Sequence, residues 1–480
     1  MKIILVLFFI LLYGALLLSP TIDISFDSPR YITIAKSIAS GNGYRLMSEI
    51  DNNPVFYNNY IFPYILAPLI KLFGLNPYPL KMFMLIISLL SIFLFFDLNL
   101  ETFSKKESFL LSTSLIATPL FIKFSDKLLT EPPFMLLLLL SLWYLSKYLQ
   151  KNKKRYLSFF LIAAYSLIFT RTVGIIALPL LFIYSYFKKN KKLFIATIVL
   201  TAITILTIYI IQSKTVPEDH LYHIKYLSYK DAFTPQEGYI DTPALAERII
   251  VNLQFYFINI PKDIFNLPSK GAYLHAILFW SLLFLGISKI KGSLYKKKAL
   301  IFFISYLSFF TIWPWQSTRF IYPIIFIIIV YLYAGLKYLI TNFPINIKQI
   351  IYLTIISFII YSGVKELSLK MTVDRVHPAE LDEIVQLSSW MKDNLPKESI
   401  VLSNNTALIY MLSSKKGTYI PYSYDIEKIT SHMKKKRVTH ILADRINCEM
   451  ARYIYPWINK NKTRLKIIKI NGGTVLFKLD

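Results

Sequence analysis

The sequence is poor in the residues that build disulfide scaffolds and collagen-like repeats. Only one of its 480 residues is cysteine and 14 are glycine, which excludes both classes. Charged residues make up 17% of the chain, against roughly 25% in soluble domains. The hydrophobic share is 55%, more than a soluble chain can bury, because surface area falls too slowly relative to volume as chains grow. We therefore expect an integral membrane protein.

Acidic residues are also scarce, since 28 Asp and Glu stand against 54 Lys and Arg, a net charge of +26. A basic excess of this size also occurs in nucleic-acid-binding proteins. Here, however, the lysines gather in short clusters between long apolar runs, as the positive-inside rule expects of cytoplasmic loops. We expect no nucleic-acid partner. The clusters lie at residues 105–106, 151–155, 188–192 and 289–298.

Apolar runs that approach the ~20 residues needed to span a bilayer predict an all-α polytopic membrane domain over residues 1–369, with about eleven crossings. The run at 3–18 is interpreted as a retained anchor, because no small-x-small cleavage site follows it. Alternation from a cytoplasmic N-terminus puts every lysine cluster inside and the loops 21–60, 123–131 and 214–273 outside. The predicted crossings are 3–18, 79–98, 109–122, 133–149, 156–169, 173–187, 193–211, 274–287, 299–313, 320–339 and 350–364.

The tail, residues 370–480, predicts a small extracytoplasmic α/β domain. Amphipathic helical patterns alternate there with short β-branched runs. The turn Asn471-Gly472-Gly473 separates two strands of a hairpin. The predicted helices are 381–394, 406–412 and 426–436, and the strands are 399–402, 440–443, 466–470 and 474–478.

Nucleotide and metal signatures are missing: the chain has no GxxxxGK[ST], GxGxxG, HExxH or CxxC motif. Polar residues placed beside the membrane, where they are costly, are then the functional candidates. Asp27 is the first, because Ser28-Pro29 predicts the start of an interfacial helix that ends at Gly41. A favourable interaction with the helix dipole is the alternative explanation for this carboxylate.

The loop before the fourth crossing supplies the second acidic candidate. Glu131 stands at the outer entrance of that crossing, ahead of Pro132-Pro133, where the helix dipole also favours an acid. In the same loop Asp126 and Lys127 are expected to pair with each other.

Two arginines lie at predicted outer membrane edges, against the positive-inside bias. They are Arg171, in Thr170-Arg171-Thr172, and Arg319, at the start of the tenth crossing. Each either snorkels to lipid headgroups or binds phosphate, since a guanidinium group holds phosphate oxygens through paired charge-assisted hydrogen bonds.

The ordered set of these short motifs resembles the GT-C superfamily of polyprenyl-phosphate-sugar glycosyltransferases. Within it, the chain is most similar to the group of bacterial and archaeal relatives of protein O-mannosyltransferases and the lipid A aminoarabinose transferase. The motifs are Asp27-x-x-x-Tyr31-x-x-x-Ala35-x-Ser37-x-x-x-Gly41-x-Gly43-Tyr44, Tyr60-Ile61-Phe62-Pro63, Leu72-Phe73-Gly74, Leu128-Leu129-Thr130-Glu131, Arg171-Thr172-Val173-Gly174 and Arg319-Phe320-Ile321-Tyr322-Pro323.

The resemblance implies a role for each candidate. Asp27 would be the catalytic carboxylate of the first outer loop and Glu131 the second acidic position. Arg319, with Arg171 as a weaker candidate, would hold the phosphate of the donor. Tyr31, Lys127 and Tyr57 are further candidates for substrate binding, Lys127 as an additional cation for the departing phosphate. Tyr57-Asn58-Asn59-Tyr60 replaces the Lys/Pro-rich stretch usual in relatives, which leaves the donor sugar and a divalent cation open.

The chemistry suits these residues, because a sugar on a polyprenyl phosphate is already activated and requires no nucleotide site. The enzyme needs a base for the acceptor hydroxyl and cations for the departing phosphate. We predict a multi-pass plasma-membrane glycosyltransferase that acts at the extracytoplasmic face, with inversion as the resemblance implies. Its partners would be a polyprenyl-phosphate-sugar donor, membrane lipids and a lipid, glycan or protein acceptor. A transporter or flippase, or a polysaccharide polymerase or ligase, is the alternative.

Overall fold

The structure is a computed structural model of the 480-residue chain. It describes all residues except 15, 17–20, 22–23, 25–26, 53, 55–59, 179–180, 183–184, 186–188, 215–225, 293 and 374–378, and except the side chains of residues 212, 294, 296–297 and 373.

Helices dominate the first three quarters of the chain, as predicted. Six helical segments in its described part are long and apolar enough to cross a membrane: α4, α7, α9, α11, α14, and α13 together with the 3₁₀ turn before it. The chain is therefore a multi-pass membrane protein, although the predicted number of crossings stays a prediction. The helices are α1 Lys2–Tyr13, α2 Ser28–Ala39, α3 Ile61–Phe73, α4 Pro77–Asn99, α5 Lys105–Ala117, α6 Pro119–Phe124, α7 Glu131–Lys151, α8 Lys154–Thr170, α9 Lys191–Gln212, α10 Thr242–Phe265, α11 Ala272–Lys289, α12 Leu300–Ile312, α13 Ile325–Leu339 and α14 Ile345–Val373.

Prolines and polar residues explain where these helices differ from the predicted crossings. The run 109–122 is divided into α5 and α6 at Thr118-Pro119, because proline cannot continue the hydrogen-bond ladder. Pro323 lies inside a 3₁₀ turn, Thr318–Ile324, that delays the start of α13. Helix α10 was predicted as loop, because its polar residues, among them Arg248 and Asn252, lower its hydropathy.

Helix α13 is the centre of the membrane domain, and its residues Ile325–Gly335 are all buried. It packs against α11 at Gly286 and Gly335, where the backbones approach so closely that a Cβ on Gly286 would lie 1.8 Å from the carbonyl oxygen of Tyr331. Small residues permit this kind of contact between membrane helices. The packing fixes the position of the 3₁₀ turn before α13, which carries Arg319.

The C-terminal region contains a five-stranded sheet with strand order β2-β1-β3-β5-β4. Strand β1 is parallel to β2 and β3, whereas β5 is antiparallel to β3 and β4. Every helix and strand predicted for the tail is present within about two residues, and β2 is added because Lys416-Gly417-Thr418 carries no hydrophobic signal. The elements are α15 Ala379–Asn394, β1 Ile400–Leu402, α16 Thr406–Ser413, β2 Lys416–Thr418, α17 Ile426–Lys435, β3 His440–Ala443, α18 Tyr455–Lys460, β4 Leu465–Asn471 and β5 Thr474–Leu479.

Two loops of the membrane domain dock on this sheet domain. In the first, the carbonyl of Ser48 accepts a hydrogen bond from the backbone N–H of Gly417 at 2.7 Å. In the second, Asp231 pairs with Arg452 at 2.7 Å, and the hydroxyl group of Tyr453 donates to the carbonyl of Phe233 at 2.6 Å. These contacts hold the domain over the end of the membrane domain that carries Asp27.

Candidate active site

The carboxylate of Asp27 meets the guanidinium group of Arg319. Asp27 occupies the N-cap position of α2, which begins at Ser28 and has Pro29 in its first turn. Arg319 Nη2 donates to Asp27 Oδ2 at 2.7 Å. The Asp27 side chain is 37% exposed, whereas that of Arg319 is 15% exposed. The carboxylate is thus held by a largely buried cation and still faces open space.

A second ion pair lies directly behind the first. Glu131, the first residue of α7, is 1% exposed and pairs with Arg171 Nη1. Its Oε1 also lies 3.6 Å from Nε of Arg319. Arg171 Nη1 donates to Thr130 Oγ1 at 3.2 Å as well. Carboxylates and guanidinium groups therefore alternate in the order Asp27, Arg319, Glu131, Arg171, which compensates the cost of burying each charge.

The ring of Phe320 supports both arginines. The guanidinium carbon lies 5.2 Å from the ring centroid in Arg319 and 5.6 Å in Arg171. Cations at this distance from an aromatic ring are attracted by its quadrupole. The two guanidinium groups are therefore held on one side of the cavity before any ligand is bound.

A cavity of about 680 Å³ opens in front of these groups. Asp27, Arg30, Arg171 and Arg319 contribute to its walls, whereas Glu131 is not among the lining residues. Its volume lies within the ~300–1,000 Å³ usual for ligand sites. The remaining wall is rich in aromatic side chains, which include Tyr226, Phe233, Phe310, Trp313, Trp315 and Tyr422.

The charges around Asp27 keep it ionised. Burial raises the pKa of Asp27, but the positive charges of Arg319 and Arg30 outweigh the burial, so its pKa lies below the usual aspartate value. The neighbouring Tyr31 is 3% exposed. Burial, together with the negative charges of Asp27 and Glu131, raises the pKa of Tyr31 well above its usual value. At neutral pH the site therefore holds an aspartate anion beside a neutral phenol.

The other predicted site residues lie elsewhere. Lys127 is partly buried and is not among the residues that line the cavity. The expected pair between Asp126 and Lys127 is wrong: Asp126 pairs with Lys370 of α14, and both side chains are nearly fully buried. A buried ammonium group requires an anion close by, and the packing of α14 on α6 brings it to Asp126. Tyr57 lies outside the described residues.

Several lining residues escaped the sequence reasoning. Arg30 follows Asp27 by three positions, and its Nη2 donates to the hydroxyl group of Tyr419 at 3.2 Å. Trp313 and Trp315 lie on either side of a proline, a few residues before Arg319. This dense aromatic stretch could have indicated part of the cavity wall from the sequence. The contributions of Asn404 and Tyr419 had no such signal, because they depend on how the sheet domain docks.

Metal ligation has little support in the described part of the chain. No group of three or more His, Cys, Asp or Glu side chains is arranged there to hold a metal ion. Asp27, which lines the cavity, and Glu131, behind it, are each paired with a guanidinium group.

A family model matches one segment of the chain. Residues 59–214 match the model of a family described as dolichyl-phosphate-mannose-protein mannosyltransferase. This segment contains Glu131 and Arg171 but neither Asp27 nor Arg319. No curated protein sequence matches the chain.

Solved structures resemble the chain over almost its whole length. ArnT from Cupriavidus metallidurans bound to undecaprenyl phosphate superposes with a TM-score of 0.64 at 12% identity, over 98% of this chain and 97% of that one. The same protein in the apo state gives 0.65 at 11% identity, over the same shares. The arabinofuranosyltransferase AftD from Mycobacteria is matched over 100% of this chain and 40% of that one, at 9% identity and a TM-score of 0.48. The predicted resemblance is thereby confirmed: one segment matches a mannosyltransferase family, and the chain as a whole shares the fold of ArnT.

Proposed function

We propose that the protein is a membrane glycosyltransferase that moves a sugar from a polyprenyl-phosphate-linked donor to an acceptor hydroxyl group at the extracytoplasmic face. The observation that carries the proposal is the pairing of Asp27 with Arg319 on the wall of one large cavity. The match to a mannosyltransferase family and the ArnT-like fold, seen there with undecaprenyl phosphate bound, favour this donor class.

The arginines are the binding site for the phosphate of the donor. Arg30, Arg171 and Arg319 all line the cavity, and the last two both lie against the ring of Phe320. A phosphate that enters accepts hydrogen bonds from Arg319 and competes with Asp27 for it, because guanidinium groups bind phosphate and carboxylate in the same way. The aromatic wall next to these cations suits the apolar body of a lipid-linked sugar.

Asp27 is the base in this proposal. As the acceptor oxygen attacks the anomeric carbon, its proton moves to Asp27, and the bond from that carbon to the phosphate oxygen breaks. The bonding electrons leave with the polyprenyl phosphate, whose added negative charge the arginines stabilise. Phosphate bound at Arg319 also weakens the hold of that cation on Asp27, which raises the pKa of the carboxylate and makes it a stronger base. Attack opposite the phosphate inverts the anomeric centre.

Glu131 has a different role from Asp27. It is buried behind the arginines and contacts both of them. We assign it as a positioning residue that holds the two guanidinium groups toward the cavity.

The lysine clusters on the opposite loops support an extracytoplasmic cavity, through the positive-inside rule.

The test is turnover of a panel of sugar-charged polyprenyl phosphates by purified wild type and Asp27→Asn. The variant keeps the shape and removes the base, so we expect a loss of about 10²–10⁴-fold in kcat. Asp241→Asn is the matched control, because Asp241 also caps a helix on an outer loop but is half-exposed and pairs with Lys230. Equal turnover by wild type and Asp27→Asn would remove Asp27 from its role, and substrate uptake into vesicles without transfer would favour a transporter.

A further inference from the structure

The carboxyl ends of three strands of the C-terminal sheet converge on Asp27. Asn404 and Asn405 follow β1, Tyr419 follows β2, and Arg445 follows β3. All four line a second cavity, of about 610 Å³, that also includes Asp27 and Arg30. Strands β1, β2 and β3 are parallel, and ligands of α/β sheets bind outside the carboxyl ends of parallel strands. The sheet thus turns its usual ligand-binding edge toward the candidate base.

The two cavities meet at the same side chains but differ in character. Asp27, Arg30, Asn404 and Tyr419 line both. Arg171, Arg319 and the tryptophans line the larger one only. A transferase with Asp27 as base needs the acceptor hydroxyl on one side of the reacting carbon and the phosphate on the other. The larger cavity contains the groups that suit the phosphate, which leaves the second cavity for the acceptor.

We propose that the acceptor binds in this second cavity, at the carboxyl edge of the sheet, and that the acceptor is a glycan or the sugar headgroup of a glycolipid. This inference depends on the glycosyltransferase function proposed above. It gives the C-terminal domain a substrate-binding role and assigns Asn405 and Arg445 as residues that recognise the acceptor.

The side chains on this edge match the chemistry of sugar hydroxyl groups. Asn405 is partly buried, and its Nδ2 amide has no hydrogen-bond partner within the described part of the chain. A buried donor of this kind costs free energy until an acceptor oxygen satisfies it. Arg445 is 56% exposed although it pairs with Glu383 at 3.1 Å. Amide, guanidinium and phenol groups around a cavity of this size can bind several hydroxyl groups at once.

A polypeptide acceptor fits this edge less well. Extended peptides commonly bind by adding a strand to an open sheet edge. Strand β2 forms the edge next to the cavity, and residues 48–49 already cover it: the N–H of Gly417 bonds to the carbonyl of Ser48, and Glu49 bridges to Gly417. Strand β4 forms the other edge, four strand positions away. The edge of the strand beside the cavity is therefore already engaged at Gly417.

The experiment compares Asn405→Ala and Arg445→Ala with wild type, using a donor that wild type consumes. Acceptors are a panel of fluorescently labelled oligosaccharides and a labelled Ser/Thr-rich peptide of similar size. We expect transfer to an oligosaccharide, with the KM for that acceptor raised about 10-fold in each variant and the KM for the donor unchanged. The matched control is Asn394→Ala, on the same domain, whose Nδ2 donates to the carbonyl of Trp390 and which lines neither cavity.

The outcomes separate this inference from the function on which it depends. An unchanged acceptor KM in both variants, with active wild type, would overturn the acceptor site alone. Transfer to the peptide and to no oligosaccharide would overturn the glycan class. If wild type neither transfers sugar nor releases polyprenyl phosphate from any donor, the proposed function fails and this inference with it. An unchanged KM for the donor in Asn405→Ala would show that this variant is folded. Arg445→Ala tests the acceptor site a second time, at an exposed side chain whose replacement should not disturb folding.

Discussion

Arg319 and Asp27 are 292 positions apart in the sequence and 2.7 Å apart in the structure. Arg319 lies in the 3₁₀ turn before α13, and Asp27 directly precedes α2. Behind them, Glu131 connects the same arginine to Arg171. The neighbouring cations keep the paired carboxylate ionised, and in the proposed mechanism a phosphate that binds Arg319 would compete with Asp27 for it.

Replacing Arg319 by lysine should separate charge from geometry. Lysine keeps the positive charge but loses the planar fork that binds phosphate through two hydrogen bonds. We expect kcat/KM for the donor to fall by about 10–100-fold in Arg319→Lys, the equivalent of one strong charged hydrogen bond. Arg464→Lys, at an exposed position of the sheet domain, is the control. A kcat/KM equal to that of wild type would mean that Arg319 does not bind the phosphate.

Glu131→Gln and Asp27→Asn should differ in stability. Glu131 is almost fully buried beside two guanidinium groups. Neutralising it removes the anion that pairs with the buried Arg171, whereas Arg319 keeps Asp27, and an uncompensated buried charge typically costs ~3–5 kcal/mol. Asp27 is partly exposed, and its loss should leave the thermal unfolding temperature in detergent close to that of wild type. Both variants should lose activity. An unfolding temperature unchanged in Glu131→Gln would argue against its positioning role.

The acid limb of the pH profile should depend on Arg319. The pKa of Asp27 lies below its usual value because Arg319 and Arg30 outweigh burial, so kcat/KM of wild type should stay level down to about pH 5. In Arg319→Gln, one of the positive charges that oppose the effect of burial on the pKa of Asp27 is lost. The pKa of Asp27 then rises, and the residual activity should be lost at a higher pH than in wild type. A limb that does not move between the two proteins would contradict this assignment of the base.

Cysteine labelling checks the orientation in the membrane. Partial burial and the neighbouring carboxylate of Glu449 raise the pKa of the native Cys448 thiol to about 11, so little thiolate is present at neutral pH and its background labelling should be slow. In intact cells, an impermeant maleimide should label Glu237→Cys, on the long outer loop, and spare Lys153→Cys, between α7 and α8. The reverse pattern would invert the predicted topology.

Hydropathy and local spacing predicted much of the fold, because both are sums over neighbouring residues. The membrane class, most of the long helices and the alternation of helices and strands in the tail all follow from such sums. Helices α3, α10 and α18 and strand β2 were not predicted. Helix α10 carries polar residues that are satisfied by distant carbonyls, as Asn252 is by Trp313, and β2 is short and carries no apolar run.

The candidate site also combines features that the sequence predicted with features that only the structure shows. The sequence by itself singled out Asp27, Glu131, Arg171 and Arg319 as charges at predicted membrane edges, and it indicated that each arginine needs a partner there. Only the tertiary structure decided which partner each charge has. Arg319 contacts both Asp27 and Glu131, and Asp126 pairs with Lys370 rather than with Lys127. The structure also decided that Asn405, Tyr419 and Arg445 of the sheet domain line the second cavity. These contacts join segments hundreds of positions apart, and the packing of whole helices and the docking of a domain, which no local pattern encodes, bring them together.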